Sequence, residues 1–264
     1  LKKTALMFAA WAGLLCAAAP LSLAEVRTRA VEYRHGDAVL EGYLAYDAGA
    51  KGDRPGVLVV HAWMGLDDHA RDSARKLAGL GYTALAVDMY GKGIRPSGPQ
   101  EAGAQASIYK KDRRLMRDRV LAGLEILKAQ PGVKAGRIAA IGYCFGGTTV
   151  LELARSGALV RGVVSFHGGL DAPLPADAPG IRSEVLVLHG AEDPYAPMAE
   201  VRAFEDEMRA VAADWQVVLY SGAVHSFTDP DAGNDPSKGA AYDPRAARRS
   251  WEAMKDFLRE VLKP

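Results

Sequence analysis

Cysteine is almost absent from this chain, and its scarcity excludes a disulfide-stapled domain. Only Cys16 and Cys144 occur among 264 residues, and Cys16 lies in a segment with the marks of a leader. Lys2 and Lys3 precede an apolar stretch from Ala5 to Ala19, and Ser22-Leu23-Ala24 supplies small residues at cleavage positions. Residues 1–24 are therefore read as a secretory signal peptide and 25–264 as one exported domain, periplasmic or secreted. Lipid attachment at Cys16 is the competing reading, disfavoured by the large Leu15 before it. Once the leader is gone, Cys144 is the sole thiol. A lone exposed thiol is a liability in an oxidising compartment, so Cys144 is either buried as a small apolar group or kept for chemistry.

An excess of charge is also lacking. Lys and Arg number 33 against 32 Asp and Glu, and loss of Lys2 and Lys3 turns the net charge from +1 to −1. No basic surplus remains to hold nucleic acid or anionic lipid. Long apolar runs are missing as well: the leader stretch falls short of the ~20 residues a membrane span needs and is broken by Pro20, so no stable insertion is expected after cleavage. The histidines show no close metal-ligand spacing, which leaves a zinc site built from His61 and His167 without support. No repeat and no signal of oligomeric state is visible.

What is present is an alternation. Val26 to Arg34 and Val39 to Tyr46, joined by His35-Gly36-Asp37-Ala38, predict an antiparallel hairpin. Short apolar runs follow at Gly56 to Val60, Tyr82 to Val87, Arg137 to Ile141, Val160 to Phe166, Val185 to Leu188 and Trp215 to Tyr220, each read as a buried parallel strand. Between them, apolar residues at three-and-four spacing predict helices near Asp67 to Leu80, Pro99 to Lys128, Gly146 to Arg155, Met198 to Ala212 and Pro244 to Leu262. The expected class is α/β: a doubly wound, mostly parallel sheet with an N-terminal antiparallel hairpin. Ligands of such sheets bind beyond the carboxyl ends of the strands, so the residues after each run are where chemistry is sought.

The strand ending at Ile141 runs into Gly142-Tyr143-Cys144-Phe145-Gly146-Gly147 and then a helical pattern, the order of a nucleophile elbow with Cys in place of Ser. The flanking glycines let strand and helix approach around a strained turn, and the helix N-terminus favours a thiolate over a thiol whose ordinary pKa is about 8.5. The competing reading is a buried structural cysteine. Partners follow such a nucleophile in the order acid, then histidine. His189-Gly190-Ala191-Glu192-Asp193-Pro194 after a strand offers Asp193, chosen over Glu192 because a short carboxylate at this turn can fix an imidazole tautomer; it can also be only a turn residue. His225 is the one histidine after it, in Ser221-Gly222-Ala223-Val224-His225-Ser226-Phe227, with a plain surface histidine as the alternative. Backbone donors for an oxyanion are expected at Phe145 and at Trp63, in His61-Ala62-Trp63-Met64-Gly65-Leu66. His61 and His167, after strand ends, are possible pocket residues, and His35, His69 and His189 are expected on the surface or behind the site.

Gly-Tyr-Cys-Phe-Gly-Gly at 142–147, Gly-Ala-Glu-Asp-Pro at 190–194 and His-Ser-Phe at 225–227 together resemble the dienelactone hydrolase family, and the likeness spans most of the chain after the leader. It implies a small-molecule ester or lactone substrate, attack by Cys144 to form a thioester, proton transfer by His225 oriented by Asp193, and no metal or organic cofactor. Relative to the family's founding members, Ala62 stands where a glutamate meets the resting thiol, and Lys92 and Asp229 stand where two arginines hold a substrate carboxylate. Lys92 can still greet an anion and Asp229 repels one, so a less anionic substrate is expected. A different function, a thiol-based binding or redox-sensing protein on the same scaffold, needs no turnover at Cys144. The polar, Gly-rich residues Asp229 to Asp243 read as a mobile loop beside the base, a lid or a plain solvated connection.

Overall fold

The structure, a computed structural model, describes residues 24–173 and 180–263. Apart from Ala24, the leader predicted over residues 1–24 lies outside the described residues. Eight strands form one sheet: β1 (Val26–His35), β2 (Ala38–Asp47), β3 (Arg54–Val60), β4 (Thr83–Val87), β5 (Val133–Tyr143), β6 (Gly162–Phe166), β7 (Glu184–Gly190) and β8 (Trp215–Tyr220). Their order is β1-β2-β4-β3-β5-β6-β7-β8. β1 pairs antiparallel with β2, and β2 antiparallel with β4; all remaining neighbours are parallel. Each of the eight predicted runs is a strand.

Period-two alternation sorts side chains onto the two faces of this sheet. Leu58, Val60, Leu85, Val87, Ile138, Ala140, Val185 and Val187 join one core, while Val57, Val59, Ala84, Ala86, Ala139, Ile141, Leu186 and Leu188 join the other. The second face is covered by α1 (Asp68–Gly79) and α6 (Pro244–Val261), capped by Asp67 and Asp243 side chains that accept from the first-turn amides. The first face is covered by α2 (Pro99–Lys111), α3 (Arg113–Lys128), α4 (Phe145–Arg155) and α5 (Met198–Ala210). The helix expected over Pro99 to Lys128 is thus two. Asp112 ends α2 through its amide and starts α3 by accepting from Leu115 N at 2.9 Å, and its extended ψ of 87° turns the chain between them.

Two features of this topology place the site. The strand order reverses at β3, with β4 on one side and β5 on the other, which opens a crevice at the carboxyl ends of β3 and β5. The second is close backbone packing around the β5–α4 corner. A Cβ on Gly142 would run into the Gly146 carbonyl, and one on Gly146 into the Val60 carbonyl, so only glycine lets α4 start directly against β3.

Candidate active site

Cys144 sits between β5 and α4 with φ 52° and ψ −112°, a conformation that non-glycine residues hold only when their surroundings impose it. Its amide donates to Phe166 O at 3.0 Å, which ties the corner to β6. The turn thereby lifts the side chain to the head of α4, and the Phe145 N–H faces the sulfur. Asp193 emerges just past β7 and is buried. Its Oδ1 accepts from the amides of Tyr195 (2.8 Å) and Ala196 (3.3 Å), which leaves Oδ2 for His225 Nδ1 at 2.8 Å. His225 Nε2 lies 3.0 Å from Cys144 Sγ. Three residues separated by up to 81 positions therefore form one hydrogen-bonded chain, with His225 only 13% exposed. Glu192 is exposed and takes no part.

The electrostatics of the chain follow from charge pairing against burial. Burial alone raises the Cys144 thiol; the His225 charge and hydrogen bond, Lys110 and the Phe145 amide outweigh it, and the pKa falls below the ordinary thiol value. Burial lowers His225, but Cys144 and Asp193 outweigh it, and its pKa is pushed up to about 10. Each shift favours charge on its partner: the imidazolium eases loss of the thiol proton, and the sulfur and Asp193 hold the proton on His225.

The remaining expected site residues fall differently. Trp63 lies in the loop after β3, 38% exposed, with its carbonyl held by Tyr90 Oη at 2.9 Å. Phe145 buries its ring against His61, Tyr90 and Tyr109. His61 is not a pocket residue: it is fully buried, donates from Nδ1 to Ala62 O at 2.6 Å and accepts at Nε2 from Met89 N at 3.2 Å, bracing the β3 and β4 loops. Burial accordingly holds its pKa below the usual value. Lys92 does not face the site as a free cation; its ammonium is taken by Glu32 (2.6 Å) and Glu41 (3.2 Å) of the hairpin. Asp229 accepts from Asp231 N at 2.9 Å and caps a short turn. His167 is buried behind His225, its ring edge-on to that of His225 at 5.3 Å, so it is no part of the pocket wall. His189 is likewise buried, bonded to Ala196 O. The Asp229 to Asp243 segment is pinned at His225 on both sides: His225 N donates to Gly239 O and Ala241 N to His225 O, and Tyr242 N closes the loop on Gly233 O.

Sequence reasoning did not single out Tyr90, Tyr195, Thr228 or Lys110. Tyr195 is 62% exposed, with its ring 5.3 Å from that of His225; its position directly after Asp193-Pro194 was the available signal. Thr228 follows His225 by three residues and bonds His167. Nothing in the chain order marks Lys110, on α2.

The model of the dienelactone hydrolase family matches residues 40–262. The chain belongs to this family. A dienelactone hydrolase-like promiscuous phosphotriesterase from metagenomic libraries is 44% identical, with a TM-score of 0.86 over 90% of this chain and 99% of that one. A solved chain named m3DLH is 45% identical, with the same TM-score and coverage. A Synechocystis protein named as a carboxymethylenebutenolidase is 28% identical over 257 residues, 90% of this chain and 99% of its own. As a member of the dienelactone hydrolase family, the chain is a hydrolase with the α/β-hydrolase fold.

Proposed function

We propose that this dienelactone hydrolase-family protein hydrolyses carboxylic esters or lactones through a Cys144–His225–Asp193 triad and a thioester acyl-enzyme. The observation that carries the proposal is the unbroken chain from Asp193 Oδ2 through the imidazole of His225 to Cys144 Sγ on a strained strand-to-helix corner. In acylation the thiolate attacks the carbonyl carbon, and the oxyanion is taken up by the amides of Phe145 and Trp63. Collapse breaks the bond to the alkoxide, which leaves with the proton from His225 Nε2; from a lactone, that alcohol stays attached to the acyl group. Forming the thioester removes the negative sulfur that raised the pKa of His225, so the neutral imidazole becomes competent to take a proton from water. Hydroxide attack and a second collapse then release the acid and restore the thiolate–imidazolium pair.

The substrate proposed is weakly anionic or neutral, because Lys92 is paired and Asp229 adds negative charge. The 44% identical neighbour is named a promiscuous phosphotriesterase, which makes a phosphotriester a second electrophile proposed for the same thiolate. Action outside the cytoplasm belongs to the proposal and rests on the leader-like residues 1–24. A base within hydrogen-bond reach of the thiol favours turnover over a redox-sensing role. The test is hydrolysis of a small activated ester from pH 5 to 9. A burst with a thioester adduct, lost in Cys144→Ala and His225→Ala, is expected; turnover that survives Cys144→Ala sinks the reading.

A further inference from the structure

His225 is flanked by two rings: exposed Tyr195 in front, and His167 behind. His167 follows β6 with φ 39°, a left-handed conformation, and its amide donates to Leu188 O at 2.9 Å, locking it at the rim beside β7. Its ring stands edge-on to His225 (5.3 Å, 65°) and to Phe227 (5.0 Å, 81°). Its Nε2 lies 2.7 Å from Thr228 Oγ1. Thr228 belongs to the loop that carries His225, and its carbonyl lies 3.2 Å from Nε2 of His69, whose ring packs edge-on against Tyr143. That loop is itself strained, with Ser226 at φ 57°.

A ring that merely filled this space would be better as phenylalanine. His167 is 1% exposed, and its Nδ1 is buried without a hydrogen-bond partner among the described residues, a cost that an apolar ring would not carry. Polar contact at Nε2 is what the imidazole adds. We propose that His167 and Thr228 form a positioning pair for the base: the bond between them sets the His225 loop so that Nε2 of His225 meets Cys144 while Nδ1 meets Asp193. This rests on the triad reading above. Burial first, then His225 and His69, holds the pKa of His167 well below the ordinary histidine value. Only one of the two adjacent imidazoles therefore carries charge. The groups facing them are Cys144, Asp193 and Tyr195 around His225, and His69, His189 and Tyr143 around His167.

The experiment measures kcat and KM for a small activated ester, and thiolate absorbance against pH, in Thr228→Val, Thr228→Ser, His167→Phe and the Val/Phe double variant, with Cys144→Ala alongside. Thr228→Val is expected to lower kcat about tenfold with KM within about twofold, and to move the thiolate titration. Thr228→Ser is expected to restore both, and the double variant to be no worse than either single change. If Thr228→Val and His167→Phe keep the kcat and titration of the parent, whatever happens to their Tm, the pair is structural and the proposal is overturned while an inactive Cys144→Ala leaves the triad standing. An active Cys144→Ala overturns both.

Discussion

Where α1 and α6 cover the sheet, the inward positions are Ala70, Ala74, Leu77 and Ala78 on one helix and Ala246, Met254, Leu258 and Val261 on the other. The two serines buried with them are satisfied, Ser73 by Tyr143 Oη and Ser250 by Ala247 O, and only Arg71 Nε on α1 is buried there without a hydrogen-bond partner among the described residues. The rim at the carboxyl ends of β5, β6, β7 and β8 is built otherwise. Cys144, His167 and Ser226 hold positive φ there, and Ser165 Oγ, His167 Nδ1 and His189 Nδ1 are buried with no hydrogen-bond partner among the described residues. One region obeys local propensity and gains stability from it. The other spends stability on holding side chains where chemistry needs them.

The largest effect that would test this contrast is expected from Asp193→Asn. Both amides that now bind Oδ1 would claim the Asn carbonyl, turning its NH2 toward His225 Nδ1 and forcing the wrong tautomer. A loss of roughly 10^4 in kcat accompanies such a change in a serine triad. With the carboxylate gone, the pKa of His225 falls and its hold on the thiolate weakens, so the Cys144 titration moves to higher pH. Steady-state kinetics with thiolate absorbance check both; a loss below tenfold would mean that Asp193 is only a turn residue.

The next effect separates the regions by stability. Leu258→Ala, in the fully buried face of α6, is expected to cost about 2 to 5 kcal/mol in denaturant unfolding while folded enzyme keeps its kcat. Cys144→Gly should do the reverse, abolishing turnover and raising stability by about 1 kcal/mol or more through relief of the φ of 52°. Equal destabilisation by the two changes would erase the distinction between rim and layer.

How far each region was legible in the chain follows the same division. The central strands were legible because burial on both faces leaves short continuous apolar runs, and the hairpin because its two segments alternate across a turn. Cys144, Asp193 and His225 stood out because each lies within a few residues of a strand end, where the fold brings such loops together. Side-chain direction was not legible. His61 and His167 both follow strands, yet one is drawn inward by Ala62 and Met89 and the other is turned behind the base by its left-handed backbone. Lys92 is committed to Glu32, 60 residues away, a pairing that no local pattern records. Asp112 inside a continuous helical pattern was a cap signal that periodicity outweighed.

The smallest effect concerns Lys110, which acts on the thiolate from α2 without a hydrogen bond to it. Its charge favours the thiolate, so Lys110→Ala should raise the Cys144 pKa, by less than His225→Ala does because the imidazole adds a hydrogen bond at 3.0 Å to its charge. Lys110 is exposed, and an exposed charge is screened over a Debye length of about 8 Å at physiological salt. The expected change in kcat/KM is therefore under about twofold at neutral pH, confined to the acid limb of the profile, and smaller still at high ionic strength. Rates from pH 5 to 9 at low and high salt decide it. A salt-independent loss of tenfold or more would mean that Lys110 touches the substrate, and the boundary of the rim would have to move out to the end of α2.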